Sequence, residues 1–299
     1  MALILGDDQS VTIGEVSPPD FLRKYPRGVY TTIHILSNNE MIDIALHLDR
    51  LKRNYLELNG SEFSELDSVV DYTMKNLFSC AKAKDQFWGS KRMLILLAIQ
   101  SEANKSKLHA YLKPLPMIKL PASFSVSLSG PPRSLPHVKA CRWVEDRKTL
   151  EEQKPNGCSE VLLVDKEGCI MEGLINNFFV VTYPDLQSGR QRIMTAGSQD
   201  PSLEGIMAKR VLEAAKELNL DIETMAPNVK GRGAWCEAFM TNSIRGLQPI
   251  SRIMCTQIRE GLPVEFEFQL PGPFPGSITC ELGERVPKLQ QVTHLESYV

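Results

Sequence analysis

The stretch EVLLVDKEGCIMEGLINNFFVV, residues 160–181, decides the predicted fold of this chain. Two apolar runs flank the polar tetrapeptide 165–168, whose final glycine can take the left-handed position of a type I turn followed by a bulge. The stretch therefore predicts a β-hairpin that continues into a third strand. One acid, Glu172, lies in the second apolar run. A carboxylate in such a place needs a partner, because an unpaired buried charge is strongly destabilising.

The composition is that of an ordinary globular protein. The chain has 299 residues, 42% of them hydrophobic and 23% charged, which is long enough for two domains. A formal charge of −2 gives no basic surface for nucleic acid or for an anionic membrane. The longest apolar run, MLILLAI at 93–99, is too short to span a bilayer and suits a buried strand. We therefore expect neither a nucleic-acid partner nor a membrane partner.

The cysteines and histidines favour a cytoplasmic location and no bound metal. The seven cysteines are scattered and form no C-x-x-C motif, which is typical of reduced thiols. The N-terminus lacks the positively charged region that opens a signal peptide. The five histidines show no metal-ligand spacing.

A proline-rich segment, KPLPMIKLP at 113–121, predicts an extended connection between two domains. We place the first domain at residues 1–117 and the second at residues 122–299. In the first, GVYTTIHIL predicts a strand because β-branched and aromatic residues dominate it. Apolar residues at helical spacing predict helices over 45–58 and 63–78. Together with the 93–99 strand, these elements indicate an α+β unit.

The second domain is predicted to combine strands with a helix. Alternating or apolar runs at 122–130, 176–183 and 237–244 predict strands. The segment PSLEGIMAKRVLEAAKELNL predicts a helix that is capped by Ser202 and carries Glu204 in its first turn.

The position of Glu172 suggests a particular chemistry. A carboxylate beside a pyridine nitrogen raises the pKa of that nitrogen and holds it as pyridinium. Pyridoxal phosphate needs this acidic partner in order to act as an electron sink. If the chain binds that cofactor, it must also supply a lysine for the Schiff base and hydrogen-bond donors for the phosphate.

The order of motifs resembles the fold-type IV pyridoxal-phosphate enzymes, which are the class IV aminotransferases. This family includes D-amino acid aminotransferase, branched-chain aminotransferase and aminodeoxychorismate lyase. The resemblance implies a small N-terminal α/β sandwich domain and a larger C-terminal β-barrel-like α/β domain. It also implies pyridoxal 5′-phosphate as cofactor, amino acids and keto acids as substrates, and a homodimer.

Two motifs carry the resemblance in the first domain and the hairpin. GVYTT…ALHLDRL is similar to the family's opening strand and helix, in which a tyrosine faces the cofactor and an arginine binds its phosphate. By motif these are Tyr30, a candidate catalytic residue, and Arg50. In the family's hairpin the second acid contacts the pyridine nitrogen and an asparagine precedes a phenylalanine. By motif these are Glu172 and Asn177.

Two further motifs imply phosphate contacts. LEGIMAKRVLEAAKEL resembles the family's L-x-G-I-T-R helix, whose first backbone N–H groups hold the phosphate. By motif these groups belong to Ile206 and Met207. EAFMTNSIRGLQPI resembles a strand in which a hydroxyl six residues after the acid reaches the phosphate, and that residue is Ser243.

Two lysines compete for the Schiff base. The family's lysine stands twenty-one residues before the first acid of the hairpin, and counting back from Glu160 gives Lys139. Lys148 is the rival, because DRKTLEE is similar to the family's K-x-L-N-x-L. Spacing favours Lys139, which would also be the general base and acid.

The chain departs from the family pattern at three places. FLRKYPRG replaces the family's D-R-G…G-D-G, Met207 and Ala208 replace the threonine and arginine after G-I, and Thr31 stands where an acid often follows the tyrosine. Transamination is the leading prediction. A lyase of the aminodeoxychorismate type is the close alternative, and a catalytically altered binding or regulatory protein is the second.

Overall fold

The computed structural model describes residues 1–6, 10–84, 87–117, 120–255 and 266–298. The chain divides into two compact units. Unit 1 comprises Met1–Ile118, Val138–Asp146 and Gln291–Val299, and unit 2 comprises Lys119–His137 and Arg147–Gln290. This division differs from the sequence-based boundaries in the two short segments 138–146 and 291–299, which belong to unit 1. Whether the units are separate folding domains stays a prediction.

The helices and strands follow each other in mixed order along the chain. In unit 1 they begin with β1 (Ala2–Leu5), β2 (Val11–Gly14), α1 (Pro18–Arg23), β3 (Val29–Ile35), β4 (Glu40–Ile42), α2 (Ile44–Asn59), α3 (Leu66–Lys82), β5 (Arg92–Gln100) and β6 (Ser106–Pro114). They continue with β7 (Phe124–Leu128), α4 (Trp143–Asp146), α5 (Lys148–Glu152), β8 (Glu160–Val164), β9 (Ile170–Gly173), β10 (Asn177–Thr182), β11 (Arg192–Thr195), α6 (Ile206–Glu217) and β12 (Asp221–Thr224). The last elements are β13 (Trp235–Asn242), β14 (Gly246–Cys255), β15 (Phe266–Gln269), α7 (Ser277–Leu289) and β16 (Val292–His294), and short 3-10 helices occupy Val229–Ala234 and Leu295–Tyr298.

Unit 1 is built on a seven-stranded sheet in the order β16-β4-β3-β5-β6-β1-β2. Side chains alternate between the two faces of a strand, and β5 buries both. Leu94, Leu96 and Ala98 pack in a cluster with apolar residues of α2 and α3. Ile95 and Leu97 pack in a second cluster with residues of α1 and α4. The sheet is therefore covered on both faces, which explains the continuous apolar run that predicted this strand.

Unit 2 contains a closed sheet. Strands β9, β10, β13, β14, β7 and β8 are hydrogen-bonded in that order, and β8 pairs with β9 to complete a six-stranded barrel. Phe178 and Val180 of β10 point into an apolar cluster inside the barrel. Phe179 and Val181 point outward, where they pack in a cluster with α6 and α7. The predicted hairpin forms two of the barrel strands, and Gly168 in its turn has a φ of 92°.

The predicted start of the long helix is wrong by one turn. Helix α6 begins at Ile206 with Gly205 as N-cap, so Ser202 does not cap it and Glu204 lies before its first turn. The physical reason is a contact from the barrel. Asn177 Nδ2 donates to the carbonyl oxygen of Leu203 (2.7 Å), and Gly205 has extended backbone angles. This hydrogen bond holds the residues before Gly205 out of the helix.

Gly276→Ala is expected to lower the free energy of unfolding by about 2–3 kcal/mol. Glu237 of β13 accepts hydrogen bonds from the backbone N–H groups of Ile278 (2.9 Å) and Thr279 (2.8 Å), and so caps α7. A Cβ at Gly276 would overlap the Glu237 carboxylate and displace this cap. Urea unfolding measures the change. Gly283→Ala is the matched control, because a Cβ there meets nothing within 4 Å, and equal stability of the two variants would contradict the prediction.

Candidate active site

Glu172 lies in β9 and its partner is Arg133. The Nη1 atom of Arg133 is 3.5 Å from Oε1 of Glu172, and both side chains are only 5% exposed. A guanidinium stays charged at any pH at which the protein folds, so this pair compensates the buried carboxylate. Arg133 was not predicted as a site residue. Its only signal in the sequence is a basic residue after two prolines at the end of a predicted strand.

Glu172 shares one face of the barrel with two other polar residues. Asn177 is the register partner of Glu172 between β9 and β10, and of Thr241 between β10 and β13. Directly paired residues of neighbouring strands project from the same side of a sheet. The three side chains therefore form a row across three strands. Thr241 is fully buried and was missed by the sequence analysis.

The N-terminus of α6 is held against Asn177. A Cβ at Gly205 would overlap Oδ1 of Asn177, so only glycine allows this approach. Ile206 and Met207 are the first two residues of the helix, and its N-cap residue, Gly205, has no side chain that could cap it. A helix N-terminus presents backbone N–H groups and a positive dipole end, which suit a phosphate. The structure thus brings Glu172, Asn177 and the first turn of α6 to one face of unit 2.

Ser243 lies in the turn between β13 and β14. Oδ1 of Asn242 accepts hydrogen bonds from the backbone N–H groups of Ile244 (3.0 Å) and Arg245 (2.8 Å), and this fixes the turn. The side chain of Ser243 is partly exposed. It is therefore a hydroxyl on an ordered turn, two residues beyond the row that contains Thr241.

Glu160, the first acid of the hairpin, has a structural role. It projects into the barrel, where Asn176 donates to it and Val161 N–H donates at 2.9 Å. Oδ1 of Asn176 in turn accepts from Asn242 (2.6 Å) and Gln248 (3.0 Å). Burial raises the pKa of the Glu160 carboxyl. This network ties the 174–176 connection to β14 and so positions the strands that carry Glu172 and Asn177.

The polar face of α2 is buried in unit 1. His47, Arg50 and Asn54 are at most 4% exposed, although their pattern in the sequence is that of a solvated helix face. Nη2 of Arg50 donates to the hydroxyl of Thr31 at 3.0 Å. Oδ1 of Asn54 accepts from the backbone N–H of Lys139 at 2.9 Å. Buried polar side chains are retained where they have such partners.

The backbone of Lys139 and of the residues after it is hydrogen-bonded to the chain around the start of β3. The carbonyl of Lys139 accepts from Tyr30 N–H (3.0 Å), and Cys141 N–H donates to the carbonyl of Gly28 (2.8 Å). The ammonium of Lys139 lies 4.9 Å from the centre of the Tyr30 ring, which is a cation–π distance. Unit 1 therefore brings together Tyr30, Lys139 and the helix that carries Arg50.

Lys148, the rival lysine, has different surroundings. It is the first residue of the short helix α5, and its side chain is exposed. It belongs to unit 2, whereas Lys139 is partly buried and belongs to unit 1. A partly buried amine with an aromatic neighbour is the more typical site for covalent chemistry, since an exposed lysine is usually a solvated charge.

Acidification is expected to lower the free energy of unfolding of the wild-type protein more than that of the His47→Asn variant. Burial, followed by the charges of Arg50 and Lys139, holds the pKa of His47 well below its usual 6.5. Below that pH the unfolded chain binds a proton that the folded chain does not, so stability falls by about 1.4 kcal/mol per pH unit for this group. Urea unfolding of both proteins at pH 7, 6 and 5 measures the difference. Parallel pH dependence would show that His47 takes up its proton normally.

Comparison with known proteins places this fold and these motifs in one family. Residues 28–253 match the model of the amino-transferase class IV family. The chain therefore belongs to the class IV aminotransferase family. Aminodeoxychorismate lyase from Bacillus subtilis (strain 168) is 22% identical over 251 residues, which cover 80% of this chain and 81% of the lyase.

Solved structures show the same fold. A hypothetical aminotransferase from Mycobacterium tuberculosis, in its PLP-bound form, superimposes with a TM-score of 0.71 at 15% identity over 96% of this chain and 98% of that chain. A putative branched-chain amino acid aminotransferase from Thermotoga maritima gives a TM-score of 0.69 at 20% identity over 96% and 95% of the two chains. The predicted family and its mixed α+β fold with a barrel are confirmed.

The predicted chemistry is confirmed at the level of the family. A pyridoxal-phosphate-dependent transaminase or a related lyase is the activity class, and pyridoxal 5′-phosphate is the cofactor. Among the described residues, no helix is both long and apolar enough to cross a membrane. The individual roles of Lys139, Tyr30, Arg50, Glu172, Asn177, Ile206, Met207 and Ser243 stay predictions.

Proposed function

We propose that this protein is an aminotransferase that uses Lys139 to bind pyridoxal 5′-phosphate covalently and to move the substrate's proton. The observation that carries the proposal is the buried Glu172–Arg133 pair. Glu172 lies in one row with Asn177, which lies against Gly205 at the start of α6. A carboxylate suits a ring nitrogen and the helix start suits a phosphate. The donor set of this chain thus fits the cofactor of its family.

Each proposed role follows from a family motif and from the surroundings of the residue within its own unit. Arg50, the N–H groups of Ile206 and Met207, and the Ser243 hydroxyl would hold the phosphate. Glu172 would bind the ring nitrogen, with Arg133 as its ion-pair partner. Asn177 would support the helix start, and Tyr30 would contact the cofactor beside Lys139.

When bound, the cofactor supplies the electron sink that stabilises negative charge at the substrate Cα. The chain's own contribution is orientation and proton transfer. Nζ of Lys139 would take the proton from the substrate Cα and return a proton at the carbon beside the ring, which is general base and acid catalysis by one group. Phosphate contacts would fix the ring relative to this amine, and such orientation lowers the barrier to reaction.

The lyase alternative has its own support. A relative described above is an aminodeoxychorismate lyase, and the two threonines after Tyr30 are similar to those of the lyases.

A homodimer and a cytoplasmic location are part of the proposal. The dimer is supported by family membership, and the location by seven free cysteines.

The test is incubation of the purified, cofactor-loaded protein with individual D- and L-amino acids and, separately, with aminodeoxychorismate. Loss of the yellow colour with an amino acid, together with formation of the matching keto acid, supports the aminotransferase. Pyruvate release from aminodeoxychorismate without any response to amino acids would replace it by the lyase. A colourless protein that does not bind added pyridoxal phosphate would overturn both and leave a binding protein.

A further inference from the structure

A buried hydrogen-bonded cluster in unit 1 surrounds the guanidinium of Arg50. The hydroxyl oxygen of Thr31 lies 2.7 Å from Nδ1 of His47 and accepts a hydrogen bond from Nη2 of Arg50 at 3.0 Å. Thr31 is completely buried and His47 is 1% exposed. Thr31 projects from β3 and the other two residues lie one helical turn apart on α2. The three side chains therefore join the helix that carries Arg50 to the strand that carries Tyr30.

Proton counting fixes the direction of these hydrogen bonds. A guanidinium only donates, so the Thr31 oxygen is the acceptor for Arg50. The hydroxyl has one hydrogen of its own, and Nδ1 of His47 is its other neighbour. A buried O–H without an acceptor costs about 1–3 kcal/mol. The hydroxyl therefore donates to Nδ1, and the ring proton of a neutral His47 is on Nε2.

A charged His47 would break this arrangement. Protonated Nδ1 would become a donor, and the Thr31 oxygen would face two cationic donors at once. Burial, with the charges of Arg50 and Lys139 as the next causes, holds the pKa of His47 well below its usual 6.5. In this cluster the neutral His47 imidazole accepts from the Thr31 hydroxyl, and the Thr31 oxygen accepts from the Arg50 guanidinium.

This geometry constrains Arg50 without adding a negative charge beside it. An acid at position 31, as the family often has, would orient the guanidinium but would also compete with a phosphate for it. A hydroxyl directs one N–H and leaves the electrostatic attraction to a phosphate undiminished. At Thr31, where the chain departs from the family pattern, His47 fixes the direction of the hydroxyl.

We propose that Thr31 and His47 are positioning residues for Arg50, and that this pair sets the affinity of the protein for the phosphate group of its cofactor. The inference rests on the proposed function in one respect, which is the role of Arg50 as a phosphate ligand. It adds a role for these two residues and a direction for the hydrogen bonds between them.

The experiment compares Thr31→Val with Thr31→Ser. Valine has the shape of threonine and lacks the hydroxyl, whereas serine keeps it. Fluorescence titration of the cofactor-free proteins gives the Kd for pyridoxal 5′-phosphate and for pyridoxal, which lacks the phosphate. Thr31→Val is expected to weaken pyridoxal phosphate binding about tenfold and to leave pyridoxal binding within about twofold. Thr31→Ser is expected to bind both as the wild type does.

A second pair of variants tests His47 independently. Asparagine can place an acceptor oxygen where Nδ1 lies, and leucine cannot. His47→Leu is therefore expected to match Thr31→Val, and His47→Asn to restore most of the phosphate-dependent affinity. In an Arg50→Met background, Thr31→Val is expected to have no further effect, because both act through the same guanidinium.

The outcomes separate this inference from the proposed function. If the wild type binds pyridoxal 5′-phosphate but Thr31→Val loses affinity for pyridoxal equally, the cluster is structural and the inference is wrong. Equal affinities of the valine and serine variants for pyridoxal phosphate would also overturn it. A wild type that binds no pyridoxal phosphate would overturn the proposed function instead.

Discussion

Lys139→Ala is expected to lower the rate of amino transfer at least about a thousandfold, and Lys148→Ala is expected to retain the wild-type rate. In the proposed function, the first change removes both the covalent attachment point and the group that moves the proton. The second removes an exposed side chain at the start of a short helix. The two lysines differ by nine positions in the chain (148 − 139) and in the unit to which they belong.

Two measurements check this expectation. Reduction of the cofactor-loaded protein with borohydride, followed by mass spectrometry of its peptides, identifies the labelled lysine. Steady-state rates of the two alanine variants then show which amine is needed. Far-ultraviolet circular dichroism controls for folding, since the Lys139 backbone also makes one hydrogen bond to Tyr30 of β3 and one to Asn54 of α2, both of which alanine retains. Label on Lys148, or full activity of Lys139→Ala, would contradict the assignment.

Local patterns in the sequence predicted the elements whose contacts are local. The hairpin of β8 and β9 was predicted because its turn glycine and its apolar runs are adjacent in the chain, and Gly168 has the expected positive φ. Strand β5 was predicted from seven consecutive apolar residues, and both of its faces are buried. In each case the physical cause lies within about ten residues, which a pattern can report.

Contacts between distant residues could not be predicted in this way. Arg133 pairs with Glu172 across 39 positions (172 − 133), and neither motif nor spacing indicates this. The amphipathic pattern of α2 indicates which side of the helix is polar, but it does not indicate which residues contact that side. That side is buried because Thr31 and the 138–146 segment supply hydrogen-bonding groups from other parts of the chain.

The start of α6 shows how a contact from a distant strand can override a local sequence rule. Ser202 is a good capping residue by type, and the propensity rule is sound. The rule fails because Asn177, on a barrel strand, binds the carbonyl of Leu203 and keeps the capping segment extended. The helix consequently has as its N-cap Gly205, a residue without a side chain, in place of the predicted serine.

Glu172→Gln is expected to lower the rate of amino transfer about 10²- to 10³-fold, because an amide cannot hold a ring nitrogen in its protonated form. The change also breaks the buried Glu172–Arg133 ion pair, which is expected to cost about 3–5 kcal/mol of stability. A slow enzyme could therefore be slow for either reason. Measurements of rate and of urea unfolding on this variant alone would not separate the two effects.

The double variant Arg133→Met/Glu172→Gln separates them. Replacing both members of the ion pair by neutral side chains removes both buried charges, so most of the lost stability is expected to return. The rate is expected to stay as low as in Glu172→Gln, because the carboxylate is still missing. If the rate returned together with the stability, Glu172 would act only as a structural partner of Arg133, and the ring-nitrogen role would have to be given up while the family and the fold stand.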